Sequence, residues 1–447
     1  MAGARRQGDS PELRAHTLEC EVLPGLEPFC AAELRRRLGD DAEPLGDGRT
    51  RSNHPEGPTA GAVAFRLRGP LAPVLQLRTA VAAYLVVRVA GRRPSALLGD
   101  SSLFDQVEAV RRLHPRGAFR SWRLSAPGRD SAALRRLREE LTRRTGLPED
   151  PDDGDLFLRV RRARAPHDGW EALVRLGPRP LSARGWRAFN LPGALNATIA
   201  AAMVELSRPR AGDRVLNLMC GSGTILIERL ARGPAALAAG CDLDPEALGG
   251  TRANLEAAGM AGAAALARMD ATALPLRDGS FRVLLADLPY GHRMGSHQGN
   301  ATLYPAVLAE AARVTEPGGA LVAVTHELRL FERCLPGAAR WWSVERAVQV
   351  YQKGHHPVIY LLRRRSGAAA QSPARSTTSR TTTTAESTNI VTESSRGSEL
   401  AGSGRPTRMA WSTRTKRRWL VPAMIAPIST SAVPITSRAP VTANGGA

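Results

Sequence analysis

Between residues 185 and 365, short apolar runs alternate with amphipathic segments, mostly of 10 to 13 residues. No other feature restricts the fold as strongly. A strand–helix alternation of this length buries its apolar faces as a mainly parallel sheet with helices on both sides. The predicted order is helix Ala194–Leu206, strand Arg214–Leu218, helix Thr224–Arg232, strand Ala236–Cys241, helix Pro245–Ala257 and strand Ala263–Ala267. Strand Phe281–Ala286, helix Thr302–Arg313, strand Gly319–Thr325 and helix Leu328–Cys334 follow. Ser343–Tyr351 and Val358–Leu362 close the pattern as an antiparallel hairpin at one edge.

Ligands of such sheets sit at the carboxyl ends of the strands, so the residues just after each predicted strand are the candidates for chemistry. The first strand, which includes Asn217, runs into Met219-Cys220-Gly221-Ser222-Gly223-Thr224. Gly221 and Gly223 let the backbone turn tightly and leave main-chain amides open to a ligand, although a plain tight turn uses the same residues. The next strand ends at Asp242-Leu243-Asp244, about twenty residues past the glycines, where an acid can accept from ribose hydroxyls. That spacing serves NAD as well as S-adenosylmethionine, but the dinucleotide pattern has a third glycine where this chain has Leu226. Asp242 is the first choice for the ribose and Asp244 the second; Asp244 alternatively caps the helix entered at Pro245. Asp270, followed by Ala271, either accepts from an adenine amino group or holds local amides.

The sharpest signal is Asp287-Leu288-Pro289-Tyr290-Gly291, which follows the fourth strand 64 residues after Gly223. An exocyclic base amine is a poor nucleophile because its lone pair is delocalised into the ring. Acceptors aimed at its hydrogens redirect that lone pair. The Asp287 carboxylate and the carbonyl of Leu288 or Pro289 can supply them, with proline fixing the backbone. Tyr290 offers a flat face to an extruded base. Transfer by in-line displacement needs alignment and no metal. Residues 291–299 read as a flexible loop in which His292, Arg293 and His297 are either phosphate contacts or idle surface groups.

The N-terminal half carries no comparable signal. Residues 17–180 read as a small α+β region. Its strands are Leu18–Val22, Gly61–Arg68, Ala118–Leu124, Leu156–Arg162 and Trp170–Leu176, with a further apolar segment at Ala82–Val89. Its helices are Glu27–Leu38, Leu71–Leu77 and Ser131–Arg144, the last capped by Ser131, and Asp40–Thr59 reads as a loop. Net charge is +20, and lysine occurs only at Lys353 and Lys416, so the surplus is arginine. Guanidinium forks suit phosphates and stack on bases; a high-GC genome also raises arginine. Arg111, Arg112, Arg116, Arg120, Arg123 and Arg129 fall before and within a predicted strand and loop, as solvated surface or as a binding face.

Five cysteines without a CxxC pair argue against both a disulfide framework and a zinc site. The best apolar run near the start, Ala80–Ala90, is broken by Arg88 and too short to span a bilayer. The expectation is a cytoplasmic monomer with no membrane and no metal partner. From Ser366 the chain turns Ser-, Thr- and Pro-rich with ten basic and three acidic residues. Residues 366–447 cannot build a core and read as a disordered tail.

These residues together resemble a family. Leu216-Asn217-Leu218-Met219-Cys220-Gly221-Ser222-Gly223-Thr224-Ile225-Leu226-Ile227-Glu228 is similar to the "LDPFCGSGTILIE" motif of UPF0020-type RNA methyltransferases. Leu191 to Met203 resembles the segment that packs over their cofactor, and Asp287 to Gly291 resembles their Asn/Asp-Pro/Leu-Pro-Tyr/Phe-Gly motif. Leu288 is closer to the tRNA guanine-N2 branch, which acts at position 6 of the acceptor stem, than to DNA adenine methyltransferases with two prolines. Val22 to Glu27, Asp155 to Val160 and Leu181 to Arg187 resemble the ferredoxin-like linker and THUMP region that precedes that domain and binds the 3′ end of tRNA.

The resemblance implies a Rossmann-like class I methyltransferase domain at 185–365, preceded by an α+β ferredoxin-like and THUMP region at 17–180. It implies S-adenosylmethionine held by Asn217, Cys220, Gly221, Gly223, Thr224, Asp242, Asp270 and Ala271, and catalysis at Asp287, Leu288, Pro289 and Tyr290. It also implies an RNA partner, tRNA or rRNA. The family has aspartate at position 217; asparagine keeps the hydrogen-bonding shape and loses the charge, which either weakens cofactor binding or marks a branch. Guanine N2 in tRNA is the leading substrate. Guanine in 23S rRNA, an adenine amine, and RNA binding without catalysis stay open.

Overall fold

The computed structural model describes residues 15–45, 61–99, 101–164, 167–290, 297–352 and 354–366. The Ser/Thr-rich tail, His292, Arg293 and most of the 40–59 loop lie outside them.

The first half forms β1 (His16–Glu21), α1 (Glu27–Leu38), β2 (Ala42–Pro44), β3 (Ala62–Leu67), β4 (Ala82–Val89), α2 (Ser101–Arg112), β5 (Trp122–Ser125), α3 (Ala132–Thr145), β6 (Leu156–Arg162) and β7 (Trp170–Arg175). The strands pair in the order β2-β3-β1-β4-β7-β6-β5, antiparallel except for β5 beside β6. One face carries a core that includes Leu18, Phe65, Leu85, Trp122 and Leu158 with α2 and α3. Three expectations are corrected. The segment 71–77 is a 3₁₀ turn, Ala72–Gln76. Ser131 stands at the cap position of α3 without a side-chain cap bond. Arg111 and Arg112 end the unforeseen helix α2, whose Leu103, Phe104, Val107 and Val110 face the core.

The second half forms α4 (Ala197–Leu206), β8 (Arg214–Leu218), α5 (Thr224–Arg232), β9 (Leu237–Asp242), α6 (Pro245–Ala257), β10 (Ala265–Arg268) and β11 (Phe281–Asp287). Then come α7 (His297–Val314), β12 (Thr315–Thr325), α8 (Leu328–Ala338), β13 (Trp342–Gln349) and β14 (Val358–Arg364). Strand order is β10-β9-β8-β11-β12-β14-β13, parallel up to β12 and antiparallel from β14. This is the expected Rossmann-like α/β sheet, with its antiparallel hairpin at one edge. From β8 the chain winds outward through β9 and β10, then returns to place β11 on the other side of β8. The gap between β8 and β11 is the switch point where doubly wound sheets hold ligands.

The two largest cores on the sheet lie on opposite sides of its centre. One packs α7 and α8 through Tyr304, Leu308 and Phe331. The other packs α4 through Ile199 and Met203, and it includes Leu26 and Phe29 from the first half. Ion pairs reinforce this junction. Glu228, fully buried on α5, accepts from Arg78 Nε at 2.5 Å and from Arg184 Nε at 2.8 Å. At the other end of the sheet, Tyr351 N–H donates to Pro24 O at 3.0 Å. Gly25, at φ +99°, lies so close that a β-carbon there would sit 2.1 Å from Gln349 O. Among the described residues, no helix is long and apolar enough to cross a membrane.

Candidate active site

The carboxyl ends of β8 and β11 are neighbours because Leu218 pairs with Ala286. The turn after β8 and the corner after β11 therefore open into one cavity of about 700 Å³ at the switch point. That size suits a small-molecule site. Residues 191–195, which precede α4, form a third wall.

The turn is built by close contacts. Gly221 has φ +54° and Gly223 φ +78°. Gly223 is packed against Thr251, where a β-carbon would meet Thr251 Cγ2 at 2.7 Å. Thr251 Oγ1 in turn donates to Gly221 O at 2.7 Å. Met219 also takes a left-handed φ of +47°, which costs energy in a side-chain-bearing residue. Asn254 on α6 is buried and ties the turn to the linker: its Nδ2 donates to Ser222 O and Phe189 O, and its Oδ1 accepts from Phe189 N–H. Arg187 Nη2 bridges two walls, donating to Leu195 O at 2.7 Å and Thr224 Oγ1 at 3.2 Å.

Among the residues expected to hold a cofactor, Cys220, Gly221, Thr224, Asp242, Asp270 and Ala271 line the cavity. Gly223 and Asn217 do not. Gly223 acts by letting α5 approach Thr251. Asn217 is fully buried beneath the turn; its Nδ2 donates to Leu218 O and Leu285 O, both at 3.1 Å, and its Oδ1 has no partner. It ties β8 to β11. Burial pushes the Cys220 thiol up to about 12, so it stays a neutral wall group. Asp242 Oδ2 accepts from Gly221 N–H at 2.8 Å and Oδ1 from Asp244 N–H at 3.1 Å, so each oxygen keeps further acceptor capacity. Asp244 caps α6 by accepting from Glu246 N–H at 2.8 Å. Asp270 Oδ1 is taken by the N–H and hydroxyl of Thr272, leaving Oδ2.

These walls fit S-adenosylmethionine. Leu243 is 55% exposed although it is a large apolar residue, and it faces the cavity beside Met269 and Ala271, a surface that a flat heterocycle would cover. Asp242 would hold the ribose hydroxyls and Asp270 the adenine amine. When bound, the cofactor supplies an electrophilic methyl group.

The β11 corner is held rigidly. Pro289 O accepts from Tyr304 Oη at 2.7 Å and from Asn300 Nδ2 at 2.9 Å. Tyr304 thereby spends its only proton, and Thr325 Oγ1, 2.9 Å away, donates to the phenol oxygen. Asn300 also donates to Glu327 at 2.6 Å. The Pro289 carbonyl is thus engaged by two donors within the protein. Asp287 Oδ1 is buried without a partner, and burial pushes the carboxyl up to about 7. Tyr290 packs against His326 in a tilted pair, with ring centroids 4.3 Å apart. His297 is no loop residue: it opens α7 and pairs with Glu327 at 2.5 Å.

Asn300, Tyr304, Thr251, Asn254 and His326 were not anticipated. The signal for Asn300 and Tyr304 was their i, i+4 spacing just downstream of Asp287-Leu288-Pro289-Tyr290. No group of three or more His, Cys, Asp or Glu residues able to hold a metal occurs among the described residues. Several arginines considered for RNA contact are engaged within the protein. Arg111 pairs with Glu108, Arg120 with Asp155 and Arg129 with Glu149, while Arg123 lies over Phe157.

Residues 184–357 match the family model described as UPF0020, RMKL-like, methyltransferase domain. The chain is 33% identical over 182 residues to the tRNA (guanine(6)-N(2))-methyltransferase THUMP3 of Bos taurus, covering 38% of this chain and 36% of that protein. It is 34% identical over 230 residues to a tRNA (guanine(6)-N2)-methyltransferase of Thermus thermophilus, covering 51% of this chain and 66% of that one. The crystal structure of TrmN from Thermus thermophilus superimposes with a TM-score of 0.59 at 27% identity, over 78% of this chain and all of the other. The chain thus spans about a third of the bovine relative it matches and 66% of the bacterial one. Motif, cavity and comparisons agree: residues 184–357 match the UPF0020 methyltransferase-domain model and share the α/β fold of S-adenosylmethionine-dependent methyltransferases.

Proposed function

We propose that this protein transfers a methyl group from S-adenosylmethionine to N2 of a guanine in tRNA or a related RNA, and specifically at position 6 of the tRNA acceptor stem. One observation carries the reading: Asp287, which lines the same cavity as the Gly221 turn, holds a buried acceptor, Oδ1, without a partner. A buried polar atom left unsatisfied is costly unless a ligand completes it. Asp287 and the Leu288 carbonyl accept the two amine hydrogens. Tyr290 stacks on the extruded base. Tyr304 and Asn300 fix the corner through Pro289.

Cys220, Gly221, Thr224, Asp242, Asp270 and Ala271 hold the cofactor directly, and Asn217 and Gly223 shape the turn from behind. Residues 17–180 serve as a ferredoxin-like and THUMP-type RNA-binding region, 185–365 as the catalytic domain and 366–447 as a tail without catalytic role. The protein acts as a cytoplasmic monomer. Similarity to relatives named for guanine-6 of tRNA supports the position. The test is incubation of the purified chain with labelled S-adenosylmethionine and bulk tRNA, followed by nucleoside analysis. N2-methylguanosine at position 6 is expected. Label confined to rRNA, or to an adenine, would replace the substrate, and absence of cofactor binding would end the reading.

A further inference from the structure

The Tyr290 ring does not stand alone. Its centroid is 4.3 Å from that of His326, tilted by 42°, and His326 is 5.7 Å from His355 at 85°. Tyr290 lines the cavity, His326 is half-buried, and His355 is exposed. The three rings therefore run from the catalytic corner outward to solvent.

Topology explains the run. His326 follows β12, whose carboxyl end lies beside that of β11. Thr325 pairs with Val358 at the start of β14, so the 350–357 turn that bears His355 reaches the same edge of the sheet. The turn is pinned. Gln352 and His355 exchange two backbone hydrogen bonds of 2.8 Å, Val350 N–H donates to Pro357 O at 2.9 Å, and Tyr351 N–H donates to Pro24 O at 3.0 Å. His355 thus presents a solvent-facing ring on a backbone held by four hydrogen bonds. Burial and the neighbouring His355 also hold His326 below the ordinary histidine range, so it is a neutral ring rather than a phosphate-seeking cation.

We propose that His326 and His355 extend the Tyr290 platform into a stacking path for a nucleotide adjoining the target base, in a strand whose pairing opens as that base is extruded from the stem. Such rings bind unpaired bases irrespective of sequence, since every base has a π-face. The inference rests on the RNA-base reading of the catalytic corner and adds where the substrate strand leaves it.

His355 is the residue to vary, because it is exposed and its loss spares the core. Steady-state methylation of bulk tRNA is compared for the wild type and for His355→Ala, His355→Phe and His355→Lys. A second readout is quenching of 2-aminopurine placed next to the guanine of a single-stranded RNA decamer. His355→Ala should raise KM for tRNA about tenfold, with a far smaller change in kcat and no change in cofactor affinity, and should abolish quenching. His355→Phe should restore both, and His355→Lys should restore neither. Wild-type KM and quenching in His355→Ala, or rescue by lysine rather than phenylalanine, would overturn the stacking path while leaving the catalytic reading intact. A wild type that neither methylates tRNA nor quenches the probe would overturn both.

Discussion

The phenol of Tyr304 donates to the Pro289 carbonyl at 2.7 Å, from a helix ten residues downstream of the corner that it restrains. That carbonyl would otherwise compete to accept from the substrate amine, and its engagement leaves one defined pair of acceptors. Removing the hydroxyl should loosen the corner without touching the cofactor walls. Tyr304→Phe should lower kcat roughly 10- to 100-fold and leave the affinity for S-adenosylmethionine, measured by calorimetric titration, as in the wild type. A parallel loss of cofactor affinity would show that the bond serves the whole cavity.

Asp287 gives a pH signature. Burial raises its carboxyl to about 7. Below that pH the group is neutral and presents a donor where the reaction needs an acceptor, so kcat/KM should rise through pH 7 to a plateau. Asp287→Asn should flatten the profile, and Asp287→Ala should abolish transfer while cofactor still binds. Stability runs the other way. The folded state holds this proton up to about pH 7 and the unfolded chain releases it near 4, so ionisation destabilises the fold as pH rises across that window. Asp287→Asn should therefore melt higher than the wild type at pH 8 and alike at pH 4, by calorimetry. A wild-type rate independent of pH between 6 and 8 would count against the assigned proton.

Asn217 should act on the sheet and not on the ligand. Its amide donates to two carbonyls, from β8 itself and from β11, in a fully buried position. A carboxylate there would face both oxygens without a hydrogen to give. Asn217→Asp should cost on the order of 2 kcal/mol in urea unfolding and should not tighten cofactor binding. Tighter binding with unchanged stability would restore the charge-based reading of this position.

Glu228 joins the two halves. It is fully buried and holds Arg78 and Arg184 from the first half and the linker. Glu228→Gln should lose roughly 3 kcal/mol in denaturant unfolding, because two guanidinium groups are left without their anion. A double variant that replaces both arginines with Met should lose less than the sum of the separate losses. Strict additivity would show that the pairs do not couple.

The sheet of the catalytic half was legible because its strands carry short apolar runs and its helices a helical period, and Arg214–Leu218, Thr224–Arg232 and Pro245–Ala257 fall where the pattern puts them. Misses arise where tertiary contacts override local preference. Helix α7 starts at His297 rather than Thr302 because Asn300 is held by Pro289 and Glu327 despite poor helix formers around it. Strand β12 includes Glu316-Pro317-Gly318-Gly319, which reads as a turn, and its pairing with β11 shifts register there. Helix α2 carried its stripe in plain view behind a Gly- and Ser-rich approach. At the site, the residues that line the cavity announced themselves through glycine, proline and acid after a strand. Those that hold them, Asn254, Asn300 and Tyr304, come from distant helices with ordinary compositions. Asn217 showed the converse: its place in a motif suggested contact with a ligand, and the structure puts it beneath the turn, outside the cavity lining.

Leu26 and Phe29 fill the same apolar layer as Ile199 and Met203. A chain begun at residue 184 would leave that layer open to solvent, and a foreign leading segment would have to supply two side chains of matching volume. Recombination between distant relatives at this seam should yield insoluble products unless α1 travels with the catalytic sheet, so the natural cut for grafting a new substrate-reading region lies inside the first half, after α1, and not at the junction that the change in sequence rhythm marks.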